Sequence, residues 1–337
     1  DDVTLVTQYD DFLPAETTIS TRLTSRITLN APFVSAAMDT VTESNMAIAM
    51  AMLGGIGVIH KNLQAADQAR QVRQVKNHLN GLILNPVCFR ATDTVARIQE
   101  VRREQGLRFG GFPILDEHDR LVGILTTSDA RYSSGPQARA SEVMTTAAVT
   151  APPGTSLEDA YRLMMRHKIG KLPLIDDQGR LVGLYSFTDV KNLVENKQPL
   201  YSRDAHHRLR AAAAIGGGDH ERAEMLAEQG VDVFVVDSAH GHSRGIVEMV
   251  RWLVAHYPEI DVIAGNVATA EGAVALRDAG AHAVKVGIGP GSICTTRVVC
   301  GVGIPQITAI YQAAQALEGS VPVVADGGVR HSGDVPK

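Results

Sequence analysis

The feature that most constrains the fold is a recurring succession of a short apolar run, a polar or glycine-rich turn and a helical stretch. The apolar runs predict buried strands over residues 31–39, 56–60, 211–215, 231–237, 261–266, 283–286 and 321–326. Helical stretches lie between them, for example 44–53, 220–229, 243–256 and 270–279. Such alternation is typical of a parallel sheet, either a closed barrel or a doubly wound sheet.

Polar side chains stand where these runs end. They are Asp39, His60, Asp237, Asn266, Ser292, Cys294 and Asp326. In a (β/α) barrel the active site gathers at the carboxyl ends of the strands. We therefore expect an α/β fold of the (β/α)8 TIM-barrel type, with its site built from these residues.

Composition narrows the class of protein. The 337 residues suggest two domains, and 45% hydrophobic with 20% charged residues is ordinary for a globular chain. A net charge of −5 gives no support for binding nucleic acid or an anionic membrane. No apolar stretch reaches 18 residues, and the three cysteines lack metal-ligand spacing, so we expect a reduced, cytoplasmic protein. The chain begins at Asp1 rather than at a methionine, so we expect its true start to be missing.

An internal repeat interrupts the strand–helix rhythm. Residues 112–129 align without a gap with residues 172–189, and 7 of the 18 positions are identical. Each copy predicts a strand, an acidic turn, a second strand and then a helix. We therefore expect three segments, a barrel part over 1–81, an inserted domain over 82–200 and the rest of the barrel over 201–337.

Residues 285–297 hold the chain's most informative loop, with glycines at 287, 289 and 291 and a cysteine at 294. Glycines let the backbone approach a ligand closely. A free cysteine is most often an inert core residue, but here Ser292, Thr295 and Thr296 surround the thiol with hydroxyls, and Lys285 and Arg297 place cations near it. Nearby cations and oriented N–H groups raise the thiolate fraction, so Cys294 is a candidate nucleophile.

Seven motifs, in order, resemble those of the inosine-5′-monophosphate dehydrogenase/GMP reductase family. They are SAAMDT at 35–40, GGIG at 54–57, DSAHGHS at 237–243, AGN at 264–266, the cysteine loop at 285–297, GVGIPQ at 301–306 and DGG at 326–328. The repeat resembles a tandem pair of CBS modules, which this family inserts into its barrel. The resemblance covers nearly the whole chain.

The resemblance implies oxidation of IMP to XMP with NAD through a covalent cysteine thioimidate, and it assigns roles to matching positions. Cys294 would be the nucleophile, and Thr296 would help to move protons, although a plain loop hydroxyl is nearly as good an explanation. Asn266 and Lys285 would contact IMP. Met38 would pack on its purine, Asp326 would receive its ribose hydroxyls, and its phosphate would be bound by Ser292 and Gly328. By itself, Asp326 with its two following glycines is more simply explained as a turn.

The same resemblance implies the remaining ligands. The nicotinamide side would be formed by Asp237, Ser238 and His60. A potassium ion would be held by the backbone carbonyls of Gly287, Gly289 and Cys294. In the CBS pair, adenine or guanine nucleotides would bind at Thr126, Asp129, Ser186 and Asp189, where each Asp is also explained as part of a helix N-cap. Family members form tetramers that nucleotides pair into octamers, so we expect a homotetramer or octamer.

The match departs from the family pattern at Lys337, where the sequence stops. The family continues with an eighth strand, a phosphate-binding segment and a flap that activates water. We therefore expect a fragment that does not complete turnover. Two alternatives remain open, a GMP reductase that uses NADPH and a non-catalytic nucleotide sensor built on the CBS pair.

Overall fold

The computed structural model describes residues 3–78, 81–84, 86–104, 110–195 and 200–337. Contacts divide the chain into two compact units. The first unit is Asp1–His78 together with Leu200–Lys337, and the second unit is Leu79–Pro199.

The secondary structure of the described residues is as follows. The strands are β1 Thr21–Arg22, β2 Thr28–Leu29, β3 Val34–Ser35, β4 Ile56–Ile59, β5 Leu82–Ile83, β6 Phe89–Arg90, β7 Gly111–Leu115, β8 Leu121–Thr126, β9 Lys171–Ile175, β10 Leu181–Ser186, β11 Ala212–Ile215, β12 Val233–Asp237, β13 Asp261–Val267, β14 Ala283–Val286 and β15 Val323–Ala325. The helices are α1 Ser44–Met52, α2 Ala65–Asn77, α3 Val95–Glu104, α4 Thr127–Arg131, α5 Ala140–Val143, α6 Leu157–His167, α7 Phe187–Val194, α8 His220–Glu228, α9 Arg244–His256, α10 Ala270–Asp278, α11 Thr296–Val299 and α12 Gln306–Leu317. Short 3-10 turns occur at Pro14–Glu16 and Ser332–Asp334.

The first unit is built on a parallel sheet. Within the described residues its strand order is β3-β4-β11-β12-β13-β14-β15, so neighbours in the sheet are also neighbours along the unit. Both faces are buried, which is the reason these strands read as continuous apolar runs. This order, with a helix between most successive strands, confirms the expected barrel-type α/β architecture.

Alternate residues of each strand enter two different cores. Val233 and Val235 of β12 pack inside the curve of the sheet with the N-terminal hairpin residues Leu23 and Leu29. Their neighbour Phe234 packs on the other side, in the core formed with the helices. The two-residue period of a strand produces this division. The hairpin β1–β2 thus covers the inner face, and the helices cover the outer one.

The predicted strand over 31–39 is wrong in extent, because only Val34 and Ser35 pair with β4. After Ser35 the backbone turns, and Met38 N–H donates to Ala36 O at 2.8 Å. The buried Thr42 fixes this turn by donating its hydroxyl to Ala36 O at 2.6 Å. Residues 36–42 therefore leave the sheet and become a loop at its carboxyl edge.

The second unit shows the duplication directly. Strands β7 and β8 pair antiparallel, as do β9 and β10 sixty residues later, and a helix follows each pair. The acidic turns are equivalent in detail, because Arg120 Nε donates to Asp116 at 3.0 Å and Arg180 Nε donates to Asp176 at 2.9 Å. The strand, acidic turn, strand and helix predicted for each copy are confirmed.

Within the described residues, none of the helices is both long and apolar enough to cross a membrane.

Candidate active site

The carboxyl ends of four neighbouring strands bring a cation, two carboxylates and an amide together. The ammonium group of Lys285, on β14, lies 2.7 Å from Asp237 Oδ1 at the end of β12 and 2.5 Å from Asp326 Oδ2 just after β15. Asn266, near the end of β13, donates its Nδ2 to the same Asp326 oxygen at 2.9 Å. The sequence predicted that Asp237, Asn266 and Asp326 would gather at the carboxyl ends of their strands, and the structure adds Lys285 as the cation that joins the two carboxylates.

The charged groups of this cluster shift the pKa values of one another. Burial lowers the pKa of Lys285, but the carboxylates of Asp326 and Asp237 more than offset it, and the net shift is upward. Burial raises the pKa of Asp326, but the Lys285 charge and the hydrogen bonds from Lys285 and Asn266 outweigh it, so its pKa is lowered. Lys285 and Asp326 therefore each stabilise the charged form of the other.

On the Asp326 side of the cluster, two acceptor atoms lack a donor among the described residues. Asp326 Oδ2 receives both Lys285 and Asn266, whereas Asp326 Oδ1 has no donor among the described residues. Asn266 Oδ1 is buried and likewise has no hydrogen-bond partner in the described part of the chain. A buried acceptor without a donor is unfavourable, so this pair of oxygens is suited to a ligand that carries hydroxyl groups.

Two glycine-rich segments approach each other beside this cluster. Gly287, which follows β14, has φ +152°, and a Cβ there would lie 2.1 Å from the carbonyl oxygen of Asp326. Gly327 has φ +82°, and a Cβ there would lie 3.2 Å from the backbone nitrogen of Gly291. The absence of side chains is therefore what lets the segment after Asp326 pack against the cysteine loop.

Cys294 lies on that loop with its side chain exposed. Its Sγ lies 3.3 Å from the hydroxyl of Thr296. Hydrogen bonds from the side chain and then the backbone of Thr296 lower the pKa of the thiol, and the Arg297 charge acts in the same direction. By contrast, burial raises the pKa of the Cys88 thiol, in the second unit, to about 11. The thiol expected to be reactive is thus the one with local support for its thiolate.

The expected role of Lys285 near the thiol differs from what the structure shows. Its ammonium group is occupied by Asp237 and Asp326 and is not among the groups that shift the pKa of Cys294. Arg297 has a further role, because its guanidinium donates to the carbonyls of Ile288 at 3.2 Å and Ile304 at 2.5 Å. It therefore ties the cysteine loop to the segment 301–306 that follows it.

The other predicted site residues take positions around this cluster. Ser292 and Gly328 are exposed on the two apposed loops, and Met38 is exposed on the loop that follows β3. Ser238 continues β12, and its backbone bonds to both Gly265 O at 3.0 Å and Asn266 N at 2.8 Å. His60 follows β4 but is only 1% exposed, with its imidazole facing Asp39 and Glu43.

Sequence reasoning missed Gln306 and Lys61 as parts of the site. Gln306 Nε2 donates to Val286 O at 2.9 Å and Asp326 O at 3.2 Å, so it fixes the backbone on both sides of the ion-pair cluster. Lys61 Nζ donates to the backbone carbonyl of Asp237. The available signal was position, because Lys61 follows the end of β4 and Gln306 opens a helix after a glycine-rich loop.

The second unit contains the other predicted ligand positions. Thr126 is the N-cap of α4, where its hydroxyl and backbone N–H donate to the Asp129 carboxylate at 2.7 and 2.8 Å. Thr126 also lines a cavity of about 300 Å³ together with Phe112, Arg102 and Arg131. Ser186 is the N-cap of α7, and Asp189 lies in its first turn. The N-cap residues are thus Thr126 and Ser186 rather than the two aspartates, and Asp129 is the acidic partner of Thr126 in a capping box.

Comparison with known proteins was made on the complete chain. A family model described as "IMP dehydrogenase / GMP reductase domain" matches residues 1–337. Inosine-5′-monophosphate dehydrogenase of Aquifex aeolicus (strain VF5) is 49% identical over an alignment of 343 residues. The alignment covers all of this chain and 69% of that protein. The enzyme of the same name from Staphylococcus epidermidis (strain ATCC 12228 / FDA PCI 1200) is 48% identical with the same coverage.

Solved structures give a second comparison. A cysteine-to-alanine variant of GMP reductase from Trypanosoma brucei, in complex with guanosine 5′-monophosphate, superposes with a TM-score of 0.85 at 35% identity, over 99% of this chain and 72% of that one. GMP reductase from the same organism in complex with guanosine 5′-triphosphate superposes with a TM-score of 0.84 at 36% identity, over 99% of this chain and 81% of that one.

Proposed function

The chain belongs to the IMP dehydrogenase/GMP reductase family, and from this premise we propose that its barrel catalyses the NAD-dependent oxidation of IMP to XMP. The observation that carries the proposal is the Lys285–Asp237–Asp326 cluster, which lies beside a loop bearing an exposed cysteine of lowered pKa. Such a site offers acceptors for a ribose and a nucleophile for a purine within one group of strand ends.

The open acceptors suit the ribose of the nucleotide. Asp326 Oδ1 lacks a donor in the described chain, and an ionised carboxylate accepts hydrogen bonds from both hydroxyls of a ribose. Asn266 Oδ1, also without a donor there, is the second open acceptor of this pair. Lys285 keeps Asp326 ionised and fixed in orientation, so these acceptors are organised before the substrate arrives.

The apposed loops suit the phosphate, and an exposed apolar side chain suits the base. Ser292 supplies a hydroxyl and Gly328 a backbone N–H, both neutral donors that favour a phosphate dianion. Met38 is 42% exposed at the carboxyl edge of the sheet, where a flexible thioether packs well on an aromatic ring.

The chemistry assigned to the chain is nucleophilic catalysis by Cys294. Its thiolate adds to C2 of the purine, the hydrogen on C2 leaves as hydride with both bonding electrons, and a thioimidate remains. Water then adds to C2, the C2–S bond breaks, and the thiol is regained as XMP leaves. Thr296, whose hydroxyl lies 3.3 Å from the sulfur, supports the thiolate and is placed to relay a proton.

NAD supplies the hydride acceptor, and the residues on the Asp237 side of the cluster are the ones proposed to hold its nicotinamide. The Ser238 region offers a hydroxyl and backbone groups, and Asp237 carries a negative charge beside Lys285. His60 also belongs to this side of the barrel end in the proposal. Asp237 and Ser238 are polar and half-buried, which fits a carboxamide and ribose rather than an apolar ligand, whereas His60 is 1% exposed and would act from behind this surface.

We also propose a potassium ion at the cysteine loop, coordinated by the carbonyls of Gly287, Gly289 and Cys294. Neutral carbonyl oxygens suit a weakly hydrated monovalent cation, and positive φ values of +152° at Gly287 and +76° at Gly289 give this loop a path that other residues rarely adopt. Gly287 O already accepts Asn266 Nδ2 at 2.6 Å, so its second lone pair is the one available to the ion.

For the second unit we propose a CBS pair that binds adenine or guanine nucleotides. The support is the cavity of about 300 Å³ beside Thr126, whose lining includes the basic residues Arg102 and Arg131. Ser186 and Asp189 occupy the equivalent positions of the second copy. A GMP reductase of the family has been solved with guanosine 5′-triphosphate. Assembly into a tetramer or octamer and a cytoplasmic location stay predictions.

A single-turnover assay tests the catalytic proposal. The chain is mixed with IMP and NAD, and the absorbance of NADH is followed against the concentration of Cys294. We expect up to one NADH for each chain that carries Cys294, and no NADH from the Cys294→Ser variant. Cys300→Ser is the matched control, because Cys300 is also exposed and lies only six positions away. NADH formation that survives Cys294→Ser would refute the assignment.

The same absorbance measurement distinguishes the dehydrogenase from the two alternatives, a GMP reductase and a non-catalytic nucleotide sensor. The GMP reductase of Trypanosoma brucei, solved in three structures, shares this fold, so an arm with GMP and NADPH is included. Oxidation of NADPH without NADH formation in the first arm would favour a reductase. The higher identity to IMP dehydrogenases, 49% against 35%, is the reason we propose the dehydrogenase. Nucleotide binding without any redox change in either arm would favour the non-catalytic sensor.

A further inference from the structure

A second cluster at the barrel end has the composition of a metal site. Asp39, Glu43 and His60 each point one ligand atom at a common point, and these atoms all lie within 4.8 Å of one another. His60 Nε2 is 3.7 Å from Asp39 Oδ1 and 3.6 Å from Glu43 Oε1. The imidazole is 1% exposed, and neither of its nitrogens has a hydrogen-bond partner among the described residues.

These distances are too long for hydrogen bonds and suit a bridging cation. A nitrogen–oxygen hydrogen bond ends at about 3.2 Å, so His60 is left unsatisfied by the carboxylates it faces. Ligands at about 2.0–2.2 Å from a tetrahedral ion are about 3.4 Å apart. The two observed separations are close to that value. An ion placed between His60 Nε2 and the two carboxylates gives this buried nitrogen a partner. The same ion offsets the negative charges of Asp39 and Glu43.

The local fold holds each ligand in place. His60 is anchored by its backbone N–H, which donates to Thr42 O at 3.3 Å, and Thr42 is itself fully buried. Asn62 donates to Asp39 Oδ2 at 2.7 Å and leaves Asp39 Oδ1 toward His60. Such an outer partner fixes the orientation of a ligating carboxylate. Glu43 comes from the N-cap position of α1, where its side chain makes no capping bond.

We propose that Asp39, Glu43 and His60 bind a divalent transition-metal ion of the Mn²⁺ or Zn²⁺ class, with water in the remaining positions. One imidazole and two carboxylates are the donors such ions prefer. The carboxylates are 53% and 54% exposed, so the ion enters from solvent and exchanges with it. This site is distinct from the proposed potassium site, which uses backbone carbonyls, and it does not depend on the proposed catalytic function.

Titration with Mn²⁺, followed by electron paramagnetic resonance of the free ion, tests the proposal on the metal-free chain. Mn²⁺ is the probe because the exposed thiols of Cys294 and Cys300 bind zinc. We expect one bound Mn²⁺ per chain, with affinity reduced at least tenfold by Glu43→Gln. That variant is isosteric and removes no helix cap, so it retains the fold.

Two matched controls make the result decisive. Glu259→Gln removes an exposed carboxylate elsewhere in the first unit, and His242→Asn removes one of two neighbouring exposed histidines whose rings are 6.5 Å apart. Both should leave Mn²⁺ affinity unchanged. Absence of Mn²⁺ binding to the native chain, equal affinity in Glu43→Gln, or a loss only in His242→Asn would each overturn the proposal.

Discussion

Replacing Lys285 by methionine removes the cation that joins two carboxylates while keeping a side chain of similar length. Its ammonium group lies within 2.7 Å of both Asp237 and Asp326, and its side chain is 13% exposed. Removing one partner of a buried ion pair costs about 3–5 kcal/mol, because the other charge is left uncompensated. The carboxylates keep 26% and 31% of their exposure and water screens them in part, so we expect a loss of about 2–3 kcal/mol at pH 7.

The pH dependence of that loss gives a sharper test than its size. In the native chain the pKa of Asp326 is lowered, mainly by Lys285 acting against burial. A carboxyl whose folded pKa is lowered stabilises the protein above its unfolded pKa of about 3.9, and that stability is lost as pH falls through the folded pKa. In Lys285→Met burial acts without the cation, the folded pKa rises, and the variant gains stability as pH falls from 7 toward 4. The difference from the native chain should therefore shrink on acidification.

Urea unfolding followed by tryptophan fluorescence measures this effect on the first unit alone. The chain has one tryptophan, and Trp252 lies on α9 of that unit. Arg330→Met, which removes an exposed cation after β15, is the control and should change the unfolding midpoint little. A loss under about 1 kcal/mol at pH 7, or a loss that stays constant as pH falls, would refute the proposed electrostatic role of Lys285.

Three further predictions follow from particular contacts. Iodoacetamide should modify Cys294 at lower pH than Cys88, whose pKa is raised to about 11, and peptide mass spectrometry over a pH series would contradict this if the order were reversed. Gly287→Ala should destabilise the first unit by about 1–3 kcal/mol, since a Cβ would lie 2.1 Å from a carbonyl oxygen, and should lose more than Gly301→Ala, where φ is also positive but no atom lies within 4 Å. Lys76→Ala should cost about 3 kcal/mol in urea unfolding, the low end for a broken buried ion pair, because it removes the ammonium group that lies 2.7 Å from Asp232 and 2.9 Å from Asp204 while Arg208 and Arg210 still pair with these carboxylates. A loss below about 1 kcal/mol would contradict that role.

Much of the fold was predictable, because parallel strands that are buried on both faces appear in the sequence as continuous apolar runs. The strands that carry Asp237, Asn266 and Lys285 were predicted within two residues of their observed bounds. Strand β3 was not, because residues 36–39 are apolar enough for a strand, yet the hydroxyl of Thr42 draws their backbone into a turn. A side-chain hydrogen bond that ends a strand leaves no apolar signal in the sequence.

The site was predictable as a set of residues but not as a set of bonds. The strand-end rule brought Asp237, Asn266 and Asp326 to one place, but the sequence favoured Lys285 as a cation for the thiol. Only the structure shows that its charge is taken up by two carboxylates. The role of Arg297 in tying the cysteine loop to the segment 301–306 depends on carbonyl directions, which residue identity does not encode. The roles of the proposed nucleotide, NAD and potassium ligands stay predictions.

The central claim is that the Cys294 sulfur becomes bonded to the purine during the reaction. Acid quenching of the chain after brief mixing with IMP and NAD, followed by peptide mass spectrometry, detects that bond directly. We expect a nucleotide adduct on the peptide containing Cys294, absent when NAD is omitted. An adduct on Cys300 alone, or NADH formation with every thiol unmodified at all quench times, would contradict it.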